Sequence, residues 1–327
     1  MKILFFTDTH IRGTTPKNRK DDLVDTLGKK FNEIVEISNS NNVDFVLHGG
    51  DLFDRPDVSI SIVSKFVTIL NKFKAPIYII SGNHDVYGHN PQTIHRTMLG
   101  LFNAMGIIHL IHEGEVVFLR KDDINVQLTG QPYIYSIDEK INISKYRVEK
   151  IDKKADFSIH MVHGMLLDRP FIKGIPYTLV DDIKDTKADI TLAGHYHSGF
   201  GIIKSDDKYF VNPGSIIRIT NSLKEIERIP QVVMITLKDD IKIELIPLKS
   251  ALPGEEVLDR QEIENFIFKN ERLTQFKQSV DSTANFQKLD INEILLNISL
   301  TEEVSDKVKQ EALKRISLSQ MKNTGDE

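Results

Sequence analysis

Five short apolar runs in this 327-residue chain each end in a polar cluster that contains Gly, His or Asp. Short apolar runs bounded in this way are typical of buried strands. Between the first three runs, apolar residues recur at helical spacing over residues 23–35 and 63–70. This alternation of strand and helix predicts an α/β fold with an at least partly parallel sheet. The runs are Ile3–Phe6, Val43–Leu47, Ile77–Ile80, Phe157–Val162 and Ile190–Ala193.

The rest of the chain predicts a second sheet and a different C-terminal region. Residues 116–119 and 126–128 indicate two short strands around a polar turn, and residues 231–248 indicate a hairpin. The segment 251–256 is typical of a linker, and an apolar stripe at Val304, Val308, Ala312 and Ile316 predicts a short helix. We therefore expect a main domain at 1–250, a short cap-like region at 251–288 and a helical segment at 289–327.

The composition excludes several classes of protein and site. The chain has no cysteine, which excludes disulfides, iron–sulfur clusters, thiolate zinc sites and cysteine nucleophiles. The absence of a long apolar stretch predicts a cytoplasmic protein without a membrane span. Acidic residues outnumber basic ones by 47 to 42, which argues against a non-specific nucleic-acid-binding module, although a bound metal would still attract phosphates.

The polar clusters after the five runs carry the chemistry. The carboxyl ends of strands in an open α/β sheet converge on one crevice, so residues far apart in sequence meet there. Imidazole, carboxylate and amide groups together suit Mn, Fe, Zn or Ni. A lone Asp-x-His or His-x-His is more often a solvated turn, residues 82–85 alone are a stronger signal, and the joint occurrence of the clusters at strand ends indicates a metal site. The clusters are Asp8-x-His10, Gly49-Gly50-Asp51, Gly82-Asn83-His84-Asp85, His163-Gly164 and Gly194-His195-x-His197.

This ordered set over residues 3 to about 218 resembles the calcineurin-like metallophosphoesterases. The resemblance implies a four-layer αββα sandwich with a small α-rich C-terminal extension, and a centre of two divalent metal ions, Mn²⁺ by preference. It implies that one metal is held by Asp8, His10, Asp51 and His197, and that the other is held by Asp51, Asn83, His163 and His195. Asp51 would bridge the two cations, which together would activate a water and neutralise phosphate oxygens.

The resemblance also implies roles beside the metals. His84 would face the substrate and stabilise or protonate the leaving oxygen, with Asp85 orienting its ring. Asp54 and Asn212 are weaker candidates for support of the ligands. Arg12 is inserted where the family has D-x-H-L-G, which lengthens a loop beside the site. Lys17, Arg19 and Lys20 fit either a solvated helix start or phosphate contacts.

Two further motifs resemble the SbcD-like nucleases of DNA double-strand-break repair and recombination, of bacterial or phage type. Residues 50–56, GDLFDRP, match their GD-[LIV]-FD motif, whereas protein phosphatases of the superfamily have GD-x-V-DRG and GNHE. Residues 213–218, PGSIIR, match the PGS-I-x-R segment of SbcD-like enzymes.

This second resemblance implies a Mn-dependent DNA exonuclease on duplex ends and endonuclease on single strands. Its implied partners are DNA, an SbcC-like coiled-coil ATPase and a second copy of the chain, with no membrane. Residues 289–316 would dock on the ATPase or else pack on their own domain. The alternative functions are a stand-alone phosphoesterase acting on nucleotides or phosphoproteins, and a non-catalytic scaffold.

Overall fold

The computed structural model describes residues 1–260 together with Arg272, Glu311 and Arg315. Its strands are β1 Lys2–Phe6, β2 Phe45–His48, β3 Ile77–Ile79, β4 His109–Leu110, β5 Val116–Lys121, β6 Ile124–Gln131, β7 Phe157–Gly164, β8 Leu166–Leu167, β9 Thr178–Leu179, β10 Ile190–His195, β11 Gly201–Ser205, β12 Lys208–Asn212, β13 Gln231–Leu237 and β14 Ile241–Pro247. Its α-helices are α1 Leu23–Ser40, α2 Ile60–Leu70, α3 Met98–Ala104, α4 Leu223–Glu227 and α5 Gly254–Val257. Short 3₁₀ turns lie at Tyr87–His89, Pro91–Arg96, Lys140–Tyr146 and Val180–Ile183.

Of these strands, β8 and β9 pair with each other, and the other twelve form two six-stranded mixed sheets. The first has the order β14-β13-β1-β2-β3-β4, in which β1 to β4 are parallel and the β13–β14 hairpin is antiparallel. The second has the order β11-β12-β10-β7-β6-β5, with a parallel centre formed by β12, β10, β7 and β6. All five strands, the hairpin and the second sheet expected from the sequence are confirmed.

Apolar side chains fill three layers around these sheets. Ile3, Phe5 and Leu47 of the first sheet pack with residues of the second, such as Ile159 and Leu192, in a core between the sheets. Successive strand residues point to opposite faces, so Leu4 and Phe6 pack instead on the outer side of the first sheet. Because β1 and β2 are covered on both faces, their sequences are continuous apolar runs.

The outer layers differ between the two sheets. Helices α1, α2 and α3 cover the first sheet through residues that include Phe31, Phe66 and Phe102. The second sheet is covered around Tyr146 and Ile183, which lie on 3₁₀ turns rather than α-helices. The fold is thus the expected α/β sandwich of two sheets, with one helical outer layer and one built from shorter turns.

The chain divides into two compact units, Met1–Asp259 and Arg260–Glu327. The expected linker at 251–256 belongs to the first unit, where the Leu252 carbonyl accepts a bond from Arg218 and Gly254 lies against the main chain of Ile226. The expected C-terminal helices, and the cap-like region beyond residue 260, lie outside the described residues apart from Arg272, Glu311 and Arg315. The expected domain limits therefore stay a prediction.

Candidate metal centre

The carboxyl ends of the parallel strands from both sheets meet at one place. Asp8 and His10 follow β1, Asp51 follows β2 and Asn83 follows β3 in the first sheet. In the second sheet, β7 and β10 contribute the remaining imidazoles at or just beyond their ends. All seven residues expected to hold metals come together, the last three being His163, His195 and His197.

The first group of side chains consists of Asp8, His10, Asp51 and His197, which we call the first subsite. The Nε2 atoms of His10 and His197 lie 3.0 Å apart. Oδ1 of Asp8 lies 3.9 Å from the His10 Nε2 and 3.6 Å from the His197 Nε2. These nitrogen and oxygen lone pairs face one another at close range, and a cation between them is the arrangement that would satisfy all of them.

The second group consists of Asp51, Asn83, His163 and His195, which we call the second subsite. His163 Nε2 lies 3.3 Å from Oδ2 of Asp51 and 3.2 Å from Oδ1 of Asn83. The rings of His163 and His195 have centroids 5.1 Å apart. An imidazole, a carboxylate and an amide oxygen at these distances are a suitable ligand set for a transition metal.

One oxygen atom of Asp51 is shared by both subsites. Oδ1 accepts a hydrogen bond of 2.8 Å from the main-chain N–H of His84. Oδ2 is buried without a hydrogen-bond partner and lies 3.7 Å from His10 Nε2 and 3.3 Å from His163 Nε2. A buried carboxylate oxygen needs a positive charge beside it, either a proton on His163 or a bound cation. Its position between two ligand groups fits a carboxylate that bridges two cations.

The main chain is strained at several of these positions. Asp8, His10, Asp51 and His195 have φ values of 53°, 43°, 54° and 78°, a region that side-chain-bearing residues seldom adopt. Such strain persists where the surroundings over-determine the conformation, and it clusters at functional sites. Glycines provide the remaining space, since a Cβ on Gly82 would lie 2.1 Å from Oδ1 of Asp51.

In two of the histidines, the ring nitrogen that points away from the centre faces an oxygen atom. His163 Nδ1 lies 2.8 Å from the Gly49 carbonyl, which directs the lone pair of Nε2 towards the second subsite. An acceptor behind the ring in this way orients a metal-binding imidazole and increases its basicity. His10 Nδ1 lies 3.8 Å from Oδ1 of Asp54, beyond hydrogen-bond distance, so this contact is electrostatic.

Burial and charge shift the protonation equilibria of the centre. Burial holds the pKa of His10 well below its usual range and lowers that of His195 to about 3, so both imidazoles are neutral and able to bind a metal. Burial opposes a charge on His163 as well, but Asp51 outweighs it and raises the pKa of His163 to about 9. Without a cation, a proton on His163 therefore compensates the Asp51 carboxylate.

His84 lies at the open side of the first subsite. Its ring packs edge-on against His10 with a centroid distance of 4.8 Å, and its Nδ1 lies 2.8 Å from the main-chain carbonyl of Asp54. Because Nδ1 donates to that carbonyl, Nε2 is the atom available to a substrate. The ring is partly exposed, as a group that contacts a substrate must be.

The expected contact between Asp85 and His84 is corrected by the structure. Asp85 is buried and accepts hydrogen bonds from the main-chain N–H groups of Phe53 and Gly82, at 3.0 and 2.9 Å. It therefore ties the loop after β2 to the loop after β3, while the carbonyl of Asp54 orients the His84 ring. Burial and the nearby Asp51 raise the pKa of Asp85 to about 7.

The two weaker candidates also have partners near the centre. Asp54 is ion-paired with the inserted Arg12 at 3.2 Å. Asn212 accepts a bond from the Gly214 N–H at 2.8 Å and donates to the Tyr196 carbonyl at 3.2 Å, which supports the segment that carries His197. Of the basic residues near the start of α1, Arg19 is buried and pairs with Asp21.

Three residues that the sequence did not suggest lie beside the metal centre. Thr7 donates a 2.8 Å hydrogen bond to Oδ2 of Asp8. The His48 ring accepts a 3.2 Å bond from the Gly50 N–H and stays outside both subsites. The Tyr133 ring lies 5.7 Å from that of His195. Only the position of Thr7 and His48 beside recognised clusters could have indicated them, and nothing in the sequence marks Tyr133.

Among the residues that the structure describes, no helix combines the length and the hydropathy that a membrane crossing requires.

A solved structure, a dimetal phosphatase from Danio rerio, aligns with 77% of this chain and with 97% of its own chain, at 11% identity and a TM-score of 0.48.

Two curated relatives are both DNA double-strand break repair proteins named Mre11. The protein from Thermoplasma acidophilum is 34% identical over 132 residues, which are 39% of this chain and 33% of that protein. The protein from Archaeoglobus fulgidus is 27% identical over 265 residues, 77% of this chain and 58% of that protein. The chain thus spans between about a third and somewhat over half of the length of these relatives.

A family model described as calcineurin-like phosphoesterase matches residues 1–199. That range includes all seven residues of the two subsites together with His84 and Asp85. Since the match covers more than half of the sequence, and the two sheets converge on the expected cluster of Asp and His side chains, the chain belongs to the calcineurin-like phosphoesterase family.

Proposed function

We propose that this chain is a two-metal-dependent DNA phosphodiesterase of the double-strand-break repair and recombination type, with Mn²⁺ as its metal. The observation that carries the proposal is Oδ2 of Asp51, which is buried between two groups of ligands and faces an imidazole nitrogen of each. The relatives named Mre11 support DNA as the substrate. The activities that we propose are exonuclease on duplex ends and endonuclease on single strands.

Two cations, one on each subsite, would supply the positive charge that neutralises phosphate oxygens and lowers the pKa of a water. The first would be held by Asp8, His10, Asp51 and His197, and the second by Asp51, Asn83, His163 and His195. The chain contributes a fixed ligand geometry, because strained main-chain positions and outer hydrogen bonds hold the ligands before any substrate binds.

His84 is the proposed general acid. Its Nδ1 proton is committed to the Asp54 carbonyl, so the second proton of the charged ring would lie on Nε2 and be donated to the leaving oxygen. The ring rests edge-on against His10, which keeps it beside the first subsite without being one of the metal ligands in this assignment. Asp85 contributes by fixing the two loops rather than by contacting His84.

The proposal extends to partners and to regions beyond the catalytic domain. We propose a main nuclease domain at 1–250, a short cap-like region at 251–288 and a helical segment at 289–327 that docks on an SbcC-like ATPase. We also propose a homodimer. These assignments rest on the resemblance to SbcD-like enzymes and on the apolar stripe of the last segment.

Cleavage of end-labelled duplex and single-stranded DNA with Mn²⁺ tests the function. We expect the wild type to cleave both, and His84→Ala to lose cleavage while it still binds two Mn²⁺ ions. His95→Ala, at an exposed histidine outside both subsites, is the matched control and should behave as the wild type. Metal loss in His84→Ala would refute the role given to His84.

Small substrates separate the proposal from its alternative. If the wild type hydrolyses nucleotides or phosphopeptides well and DNA not at all, the chain is a stand-alone phosphoesterase. Hydrolysis of bis(p-nitrophenyl) phosphate reports on the metal centre independently of DNA binding. Inactivity towards every substrate despite two bound Mn²⁺ ions would support the non-catalytic scaffold.

A further inference from the structure

A buried loop without regular structure lies behind the first subsite. Residues 213–218 follow β12 and are all buried, but they belong to no strand or helix. Main-chain carbonyls in such a loop have no sheet partner, so other groups must satisfy them. The loop therefore needs hydrogen-bond donors from elsewhere in the fold.

Three cationic side chains supply these donors to four successive carbonyls. Arg228 donates to the carbonyls of Ser215 and Ile217, each at 2.5 Å. Lys30, on α1, donates to Ile216 at 2.7 Å. Arg19 completes the series by donating to the carbonyl of Arg218 at 2.6 Å.

The burial of the Lys30 amino group does not by itself stabilise the folded state. Lys30 is 2% exposed, and burial holds its pKa well below the usual range. Asp21 pairs with Arg19 and Glu225 pairs with Arg228, whereas the described part of the chain places no carboxylate within ion-pair distance of Lys30. A buried charge of this kind is often less stabilising than an apolar side chain of similar size.

The opposite side of the loop holds the main chain of two ligands of the first subsite. The Ser215 N–H donates to the His197 carbonyl at 2.9 Å. The Ser215 hydroxyl lies 2.7 Å from the Asp8 carbonyl. The next N–H along the loop, that of Ile216, donates to the carbonyl of Thr7 at 3.3 Å. The loop thus connects Lys30, Arg228 and Arg19 with the main chain on either side of the first subsite.

The single proton of the Ser215 hydroxyl has two possible acceptors. Its oxygen lies 2.7 Å from the carbonyl of Asp8 and 2.7 Å from that of Ile217. Arg228 also donates to the Ile217 carbonyl, so that oxygen stays paired without the hydroxyl, and the hydroxyl proton can be given to Asp8. Asp8 has a φ of 53°, and a contact that holds this strained conformation also fixes the direction of its carboxylate.

We propose that Lys30 and Arg228 are positioning residues for the first subsite, which act through Ser215 on the main chain of Asp8 and His197. This inference rests on the proposed two-metal centre. The second subsite is the internal reference, because these bonds reach neither Asn83 nor His163, and its link to the loop is indirect, through the His195 N–H that donates to both carboxylate oxygens of Asp8 at 3.1 Å. Loss of the cations should therefore weaken the first metal more than the second.

Calorimetric titration of the metal-free protein with Mn²⁺ tests the inference. Lys30→Met removes the charge but keeps an unbranched apolar side chain, and Lys29→Met makes the same change at the adjacent, exposed position of α1. We expect Lys30→Met to weaken the first Mn²⁺ site by up to about tenfold, the lower end of the effect of losing a direct partner of a metal ligand, because Lys30 acts through the loop. Lys29→Met should bind both ions as the wild type does.

Ser215→Ala is the second variant, which removes one hydroxyl and leaves every buried cation in place. It should weaken the same Mn²⁺ site, and saturating Mn²⁺ should restore hydrolysis of bis(p-nitrophenyl) phosphate in both variants. Wild-type affinity at both sites in Ser215→Ala, or in a folded Lys30→Met, would overturn the inference. A wild type that binds no Mn²⁺ would instead refute the proposed two-metal function.

Discussion

The two subsites share Asp51 but differ in charge and in depth. The first has a carboxylate of its own, Asp8, which is fully buried. The second adds only neutral ligands, with Asn83 and His195 partly exposed. Since ligand charge and rigidity set the affinity for a divalent cation, we expect the first to bind the tighter and less exchangeable ion. The difference teaches how one shared carboxylate would serve both a tightly held metal and an exchangeable one.

Asp51→Asn should have the largest effect, because it removes the charge that both subsites share. We expect loss of both Mn²⁺ ions and a fall in bis(p-nitrophenyl) phosphate hydrolysis greater than the about 10- to 100-fold caused by losing an outer partner. Metal content after dialysis and the rate constant measure the two effects. Asp57→Asn, at an exposed carboxylate on the same loop, is the control. Retention of one tightly bound ion would show that the subsites are independent.

The metal-free protein should lose stability as the pH rises from about 6.5 to 9. The folded-state pKa of His163 is raised from 6.5 to about 9. The protonated ring therefore adds its full contribution to the free energy of unfolding below pH 6.5, and this contribution disappears as the pH passes 9. The loss should reach up to about 3 kcal/mol, at about 1.4 kcal/mol per pKa unit. Thermal unfolding with a chelator at several pH values measures it.

His163→Gln provides the comparison for this pH effect, since the variant has no imidazole to titrate. Its stability should change less over the same pH range. Wild-type protein saturated with Mn²⁺ should also show a smaller change, because a cation would take the place of the proton on His163. If the stability of the wild type and of His163→Gln changed equally with pH, the assignment of the proton to His163 would be contradicted.

Asn83→Asp should reduce the difference between the subsites by giving the second one its own carboxylate. We expect the Mn²⁺ affinity of the second subsite to rise about tenfold, which corresponds to about 1.4 kcal/mol of binding free energy. The tighter ion should also exchange more slowly. Asn90→Asp, the same change at an exposed position that caps a neighbouring turn, should leave both affinities unaltered. A weaker second ion in Asn83→Asp would refute the charge argument.

Arg12→Met should have the smallest effect, confined to the first subsite. Arg12 holds Asp54, whose carboxylate faces His10 Nδ1. Partly exposed ion pairs contribute about 0.2–1 kcal/mol, so we expect a few-fold weaker first Mn²⁺ ion. Arg55→Met, which removes the exposed pair with Asp57, is the matched control. A change at the second subsite alone would contradict this assignment.

The sequence predicted which side chains come together because its signal is local. Each ligand follows an apolar run, and the run fixes both the strand and its carboxyl end, so Asp8, Asp51 and His163 were placed at one edge without any knowledge of contacts. Asp85 was misjudged because adjacency to His84 in sequence suggested a contact. The fold of the loop instead directs its carboxylate to main-chain N–H groups of Phe53 and Gly82.

The buried cations could not have been predicted in the same way. Lys30 and Lys29 are adjacent lysines on one helix, and only the packing of α1 determines which of them is buried. Its partner, the Ile216 carbonyl, is 186 residues away in sequence. Contacts of this separation depend on the assembled sheets, and a single sequence carries no local signal for them.

The two sheets contribute to both subsites, which gives bound metal a mechanical role. Asp8, His10, Asp51 and Asn83 follow strands of the first sheet, whereas His163, His195 and His197 belong to or follow strands of the second. In a chain without cysteine, a pair of cations would act as a reversible cross-link between the two halves of the sandwich. A ligand that binds only the folded state stabilises it in proportion to the logarithm of its concentration. Resistance to unfolding would then follow the supply of free metal.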